Sequence, residues 1–473
     1  MTDSPLRIAF LWHMHQPYYR NPRTGVYRLP WVRLHTVKDY FDMAARLDGF
    51  PQIKANFNLV PCLVEQIMDY GRGDAQERYL ELSRKPADAL TDEDRVSLIQ
   101  HFFLGNRKTI IEPHPRYRSL YEKCIDLASE HKIHAAMKRL KQQDYLDLQV
   151  WANLAWAGPI LKKDQLISDL MARQRRFTEQ MKSDLLTKHI EIMGSVLGKY
   201  RELAEAGRVE ITMSPYFHPI LPLLCDSETA KTAVPAIRLP SARMQYPDDA
   251  VAQIRLGQDL HRDVFGKPAQ GMWPPEGAVS DEVLALASRA GISWAATDEG
   301  ILAMSAGVTL REAPTGRALR PDLLYSPHLM RCGGGEVTVF FRDRLLSDLI
   351  SFEYSKLPAA EAVADFIGRL ETIRSDLGSE VGRSIVLIAL DGENCWEFYD
   401  MGGDTFLNRL YSEITRHSGI ETVLLSEVVS DGGRRRPLKS IYPGSWIGNS
   451  LETWIGQPQD NRAWDLLSDA RTQ

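Results

Sequence analysis

The chain has 473 residues, 44% of them hydrophobic and 25% charged, with a formal net charge of −5. That balance suits a globular protein built as one large unit with additions or as two to three domains, and it carries no basic footprint for nucleic acid. Its apolar runs are far too short to span a bilayer.

Residues Met1 to Arg7 hold no basic stretch followed by an apolar core, so no signal peptide is expected and a cytoplasmic protein is the simplest reading. Cys62, Cys124, Cys225, Cys332 and Cys395 are odd in number and widely spaced, with no zinc-ligand pair, as expected of reduced thiols. Ten tryptophans and seventeen tyrosines offer flat faces that suit sugar rings and ordinary cores alike.

Ile8 to Trp12 reads as a buried strand ending in His13-Met14-His15-Gln16-Pro17. Histidines two apart beyond a strand end share a side if the chain stays extended. They suit metal ligation, hydrogen bonding to a ligand or plain surface, although a His pair without a nearby acid is a poor metal site. A helix is expected from Trp31 to about Leu47. Ile53 to Leu59 alternates as a second strand, with Asn56 and Asn58 on one face. From Cys62 to about Gly207 the pattern is helical, punctuated by prolines. A block of about 145 residues is too long for a simple crossover and reads as a helical insertion, about 62–207.

Val209 to Met213 is the third expected strand, leading to His218. Ala269 to Trp273 is the fourth. Pro274 and Pro275 then forbid helix and sheet, Glu276 follows, and Gly277 frees the turn. Ser280 caps a helix that stops at Gly291. Glu276 therefore sits in a stiff strand-to-helix loop beside a tryptophan, where α/β folds place chemistry, although most loop glutamates are plain surface. Ile292 to Thr297 is the fifth strand, before Asp298. Val337 to Phe341 is the sixth, before Arg342 and Asp343. A helix from about Ala359 to Leu377 precedes the seventh strand, Ser384 to Leu390, which ends in Asp391-Gly392-Glu393-Asn394-Cys395-Trp396.

Seven buried strands, each followed by a polar loop and mostly by a helix, argue a parallel barrel or wound sheet. Polar residues gather after the strands, so His13, His15, His218, Glu276, Asp298, Arg342, Asp343 and Asp391 are expected on one C-terminal rim. The tail, 399–473, places Trp446 and Trp454 in Gly- and Asn-rich loops. Such loops fold over a rim as stacking faces, or they plug the barrel end. Two rim carboxylates with indole neighbours, Glu276 near Trp273 and Asp391 near Trp396, are the equipment of glycoside hydrolysis.

These residues are similar to the motifs of glycoside hydrolase family 57, in order. His15-Gln16-Pro17 resembles the first, Gly207 to Ile211 with the run to His218 the second, and Trp273 to Glu276 the third. Ala389 to Asn394 resembles the fourth, and Trp446 with Trp454 to Gly456 the C-terminal fifth. The likeness spans nearly the whole chain and is greatest to amylopullulanase-type members. It implies an incomplete (β/α)7 parallel barrel over 1–398 with the helical insertion, and a C-terminal helical and loop segment packing on the rim. It also implies a retaining enzyme acting on α-glucans or maltooligosaccharides, without cofactor or metal. Glu276 takes the place of the nucleophile and Asp391 that of the acid/base, about 5–5.5 Å apart. His13, His15 and His218 take the place of ligands to the sugar at the cleavage point. Trp273, Trp396, Trp446 and Trp454 become subsite walls, and Asp298 and Arg342 further substrate contacts. Glu393 is the main rival acid, with Asp298 and Asp343 behind it. Hydrolysis competes with transfer, as in a 4-α-glucanotransferase or branching enzyme. A metal-dependent, deacetylase-like hydrolase and a non-catalytic glucan-binding protein are more distant readings.

Overall fold

The computed structural model describes residues 4–124 and 130–472. Part of the helical block, 125–129, and residues 1–3 of the leader reading lie outside the described residues. The seven expected strands are all present: β1 (Leu6–Met14), β2 (Ala55–Leu59), β3 (Val209–Thr212), β4 (Gly271–Met272), β5 (Trp294–Asp298), β7 (Gly335–Arg342) and β8 (Ile385–Asp391). Among the described residues three more strands stand beyond the expected seven: β6 (His328–Cys332), β9 (Ile420–Thr422) and β10 (Arg436–Leu438).

The seven run parallel, in the sequence β7, β8, β1, β2, β3, with β4 on β5 and β5 on β7. The sheet does not close as a continuous ladder. β3 and β4 meet only through the parallel bridge Met213–Met272, and β7 touches β8 at Arg342–Leu387. The result is an incomplete, mostly parallel (β/α)7 barrel. β6 departs from the parallel pattern: it forms an antiparallel hairpin with β7 through Gly333 and Gly334, both at positive φ, outside the ring.

Side-chain alternation decides what faces the barrel axis. Along β1, Ile8, Phe10, Trp12 and Met14 pack outward into the main helical core, whereas Ala9 and Leu11 belong to a separate inner cluster. Along β8, Val386, Ile388 and Leu390 go outward, and Ile385, Leu387 and Ala389 inward. Trp294, Ala296 and Phe340 fill the same inner cluster from β5 and β7. Continuing the parity to the strand ends puts His13, Asp298, Arg342 and Asp391 on the inner face at one mouth. Gly271 shows how tight the interior is, since a Cβ there would stand 2.1 Å from the Trp294 ring.

Within the helical block a second apolar core, which includes Trp151, Trp156 and Tyr117, is closed by Leu34 and Val37, whereas the helix Pro61–Gly71 packs on the main core. The tail reaches both mouths of the barrel rather than the rim alone. β9 pairs with Leu6–Ile8 of β1, and the helix Leu425–Ser430 drives Leu425 and Val428 into the inner cluster. Its first amides are taken up by inner-face side chains, Leu425 N by Asn56 Oδ1 at 3.0 Å and Ser426 N by Glu210 Oε2 at 2.8 Å. From the other mouth Trp446 packs against the same cluster. Among the described residues no helix is long and apolar enough to cross a membrane.

Candidate active site

Glu276 follows the two-residue strand β4 and adopts a left-handed backbone, φ 57° and ψ 24°. For a residue with a Cβ this costs about 1–2 kcal/mol, so the surroundings must enforce it. They do so from two sides. Thr297 Oγ1 donates to the Gly277 carbonyl at 2.6 Å, and Trp446 N donates to the Glu276 carbonyl at 3.1 Å. Trp446 also donates its indole Nε1–H to Glu276 Oε2 at 2.9 Å. Glu276 Oε1 stands 4.0 Å from His218 Nδ1, and its side chain keeps 26% exposure. His218 is left-handed too, φ 57°, so two of the strained non-glycine positions meet at this point.

Asp391 ends β8, directly across the ladder from His13. Gly392 N donates to the His13 carbonyl at 2.7 Å, and Asn394 Nδ2 donates to Asp391 Oδ2 at 3.1 Å. Glu276 and Asp391, from opposite arcs of the ring, line one cleft of about 500 Å³ together with Arg342, Asp348, Phe352 and Trp446. Arg342 stacks its guanidinium 5.2 Å from the Trp446 ring, so the cation and the indole that holds Glu276 are fixed together.

Three imidazoles stack beside this cleft, with ring centres 4.0 Å apart for His15 and His218 and 5.0 Å for His13 and His218. Asn58 orients His13. Its amide nitrogen donates to Thr212 Oγ1 at 3.1 Å, which leaves Oδ1 to accept from His13 Nδ1 at 2.7 Å. Burial, then the neighbouring His13, lowers the His15 pKa to about 3. Burial, then His15 and His13, pushes His218 well below the ordinary imidazole range. Both rings are therefore neutral near pH 7 and can donate to or accept from sugar hydroxyls. Among the described residues, His15 Nδ1, His218 Nε2 and the nearby Trp273 Nε1 are buried without a protein hydrogen-bond partner. Trp273 contacts both His13 and Trp446 in this group. Among the described residues, no group of three or more His, Cys, Asp or Glu side chains is placed to hold a metal ion.

Several expected residues stand elsewhere. Asp298 is fully buried, accepting from Arg342 Nε at 2.8 Å, from Gly300 N at 2.8 Å and from Arg344. It serves the rim as an anchor for Arg342. Asp343 is buried against Tyr325 and Arg311. Trp396 is 2% exposed and packs on Trp12 and Tyr399 in the main core, supporting the Asp391 loop from behind. Trp454 packs with Trp464, Ile237 and Leu239 in a satellite cluster. Glu393 is 2% exposed and accepts from His15 N at 3.3 Å. Burial, then the charge of Asp391, holds its carboxyl well above the usual range, so it is a buried neutral acid and does not line the cleft.

Several cleft residues carried no sequence signal, Asp348 and Phe352 among them. Asp348 and Phe352 follow the helix start at Arg344, where the chain reads as ordinary amphipathic helix. Asp348 accepts from Arg342 Nη1 at 3.2 Å.

A parallel barrel that brings two carboxylates to one cleft among indoles and imidazoles has the build of an enzyme for glycosidic bonds. The family model of glycosyl hydrolase family 57 matches residues 9–442, and the chain belongs to that family. A search of curated protein sequences found no match. Among solved structures, the fold is similar to a GH57-type branching enzyme from Pyrococcus horikoshii, with 18% identity and TM-score 0.57 over 97% of this chain and 76% of that one. It is also similar to a GH57 branching enzyme from Thermococcus kodakaraensis, at 16% identity and TM-score 0.58 over 97% and 77%. An α-amylase from Thermotoga maritima matches at 14% identity and TM-score 0.57 over 93% and 77%.

Proposed function

We propose that this enzyme cleaves α-glucosidic bonds of α-glucans with retention of configuration, Glu276 acting as nucleophile and Asp391 as acid/base. The observation that carries the reading is that both side chains line one cleft while arriving from opposite arcs of the barrel. Family membership and the α-glucan-active names of the similar structures support the substrate class.

In the first step Glu276 Oε1 attacks the anomeric carbon, while Asp391 gives its proton to the departing glycosidic oxygen. Oε2 stays on the Trp446 indole, which fixes the attack direction. In the second step Asp391, now a carboxylate, takes the proton of water or of a sugar hydroxyl, and the ester to Glu276 breaks. The neutral histidines hold the hydroxyls of the sugar at the cleavage point, and Arg342 keeps Trp446 in place. The five free cysteines suit a reducing compartment, and we place the enzyme in the cytoplasm on that ground.

The test is a product profile on maltoheptaose, pullulan and glycogen, with the first-formed anomer read by proton NMR. Release of α-anomeric products, and loss of at least about a thousandfold in turnover for Glu276→Gln, are the expected results. A first-formed β-anomer, or an active Glu276→Gln, would overturn the assignment. Products longer than maltoheptaose would identify transfer, and cleavage of pullulan would support an amylopullulanase-type specificity.

A further inference from the structure

A second cavity, of about 730 Å³, opens beside the cleft and shares Ser351, Phe352 and Asp391 with it, but not Glu276. One wall is the barrel's own chain at Phe352, Asn394 and Phe398. The other is the helical insertion at Lys108 and Thr109. Phe352 and Phe398 are 65% and 60% exposed, although both are large apolar rings. Exposed aromatic faces along a groove are poorly explained by folding and well suited to stacking on pyranose rings.

The walls are also preorganised. Asn106 Oδ1 accepts from Lys108 N at 2.9 Å and fixes the turn that follows. Thr109 Oγ1 donates to the Glu397 carbonyl at 2.5 Å, tying the insertion to the loop that carries Asp391. Asn394 lines this groove and donates to Asp391, so whatever occupies the groove sits next to the acid.

Position relative to the two carboxylates gives the groove its role. The acid stands at the leaving oxygen, between the sugar that is attacked and the part of the substrate that departs. A groove lined by the acid and not by the nucleophile lies on the departing side. We infer that the groove between the 106–109 turn and Phe398 binds the leaving end of the glucan and then the acceptor glucan, with Phe352 and Phe398 as stacking platforms. It thereby sets the balance between transfer and hydrolysis. This rests on the roles proposed above for Glu276 and Asp391.

The experiment uses α-maltosyl fluoride as donor and maltotriose as acceptor. Glu276 forms the C1–O bond as the C1–F bond breaks, and fluoride departs without a proton, so loading the enzyme does not need the groove. Asp391, whose proton fluoride did not take, releases it to solvent; water or a maltotriose hydroxyl then attacks C1, its proton passes to the Asp391 carboxylate, and the ester to Glu276 breaks. Transfer and hydrolysis products are separated and their ratio taken for each variant. Wild type is expected to form transfer product saturably with maltotriose. Phe398→Ala is expected to lower the transfer-to-hydrolysis ratio at least tenfold and raise the half-saturating maltotriose concentration. Phe398→Tyr, which keeps the ring, should restore both. A ratio unchanged in Phe398→Ala, or a wild type that releases fluoride and only hydrolyses however much maltotriose is added, would overturn the inference alone. No fluoride release from wild type would overturn the catalytic roles beneath it as well.

Discussion

Trp446 reaches Glu276 from 170 residues further along the chain and donates its indole hydrogen to Oε2 at 2.9 Å. The same residue's backbone amide holds the Glu276 carbonyl, and Arg342 covers its ring. The tail therefore completes the site by orienting one carboxylate oxygen and leaving the other beside His218.

That bond predicts the behaviour of Trp446→Phe, which keeps a flat apolar ring and removes the donor. A hydrogen bond to a charged group contributes about 1.5–3 kcal/mol. If it holds Glu276 for attack, kcat should fall about tenfold to a hundredfold. KM should move much less, because the ring face remains. A KM-dominated loss would mean that Trp446 acts through substrate stacking alone.

His15 gives a pH dependence with a definite sign. Its folded pKa is lowered to about 3 by burial and by His13, against an unfolded value near 6.5. Above pH 6.5 both states are neutral there and nothing is lost. As pH falls below 6.5 the unfolded chain takes up a proton that the folded chain refuses, and stability drops by about 1.4 kcal/mol per pH unit until the folded pKa is reached. His15→Gln removes this contribution. Denaturant titrations at several pH values between 7 and 4 should show the wild type's advantage over the variant shrinking as the solution is acidified. A constant difference would mean that His15 is not buried in its neutral form.

Glu393 carries the opposite sign. Burial, then Asp391, raises its folded pKa well above the ordinary carboxyl range. Below an unfolded pKa of about 4.5 both states are protonated. Above it the unfolded chain ionises while the folded chain keeps its proton, so this residue erodes stability as pH rises. Glu393→Gln should gain on wild type from pH 5 to pH 8, as read by the same titrations. It should also retain turnover, because Glu393 does not line the cleft. A variant as inactive as Asp391→Asn would return the acid role to Glu393.

Much of this geometry was legible in the chain. The runs before His13, Asp298, Arg342 and Asp391 are buried strands, and strict alternation from Ala9 or Ile385 points His13 and Asp391 to the same inner face. The Trp-Pro-Pro-Glu stretch announced a stiff loop. Other features had no such signature. β9 and β10 have three residues each, shorter than any pattern of alternation can mark. Trp396 and Trp446 are both indoles in loops after strands, yet one is core and the other meets Glu276. Only long-range packing separates them. Asp298 reads as a rim ligand because it ends a buried strand, but its register beside Arg342 pairs the two in an ion pair.

Asp348 poses the last question, since it is a third carboxylate lining the cleft. Burial raises its carboxyl against the pull of Arg342, as a general acid requires, but its 3.2 Å contact commits it to that guanidinium. Among the described residues Asp391 carries no such partner, and the Asn394 amide is the side chain that orients it. Asp391→Asn should therefore cost about a hundredfold to ten-thousandfold in kcat/KM on maltooligosaccharides, the range for loss of general acid–base help. Asp348→Asn should cost about tenfold or less, through a looser Arg342. The leaving group separates the two roles. Fluoride departs unprotonated, so the first step of Asp391→Asn should recover on α-maltosyl fluoride, read as a burst of fluoride release. Asp348→Asn should show the same modest defect on both donors. Recovery confined to Asp348→Asn would identify Asp348 as the acid and Asp391 as its neighbour.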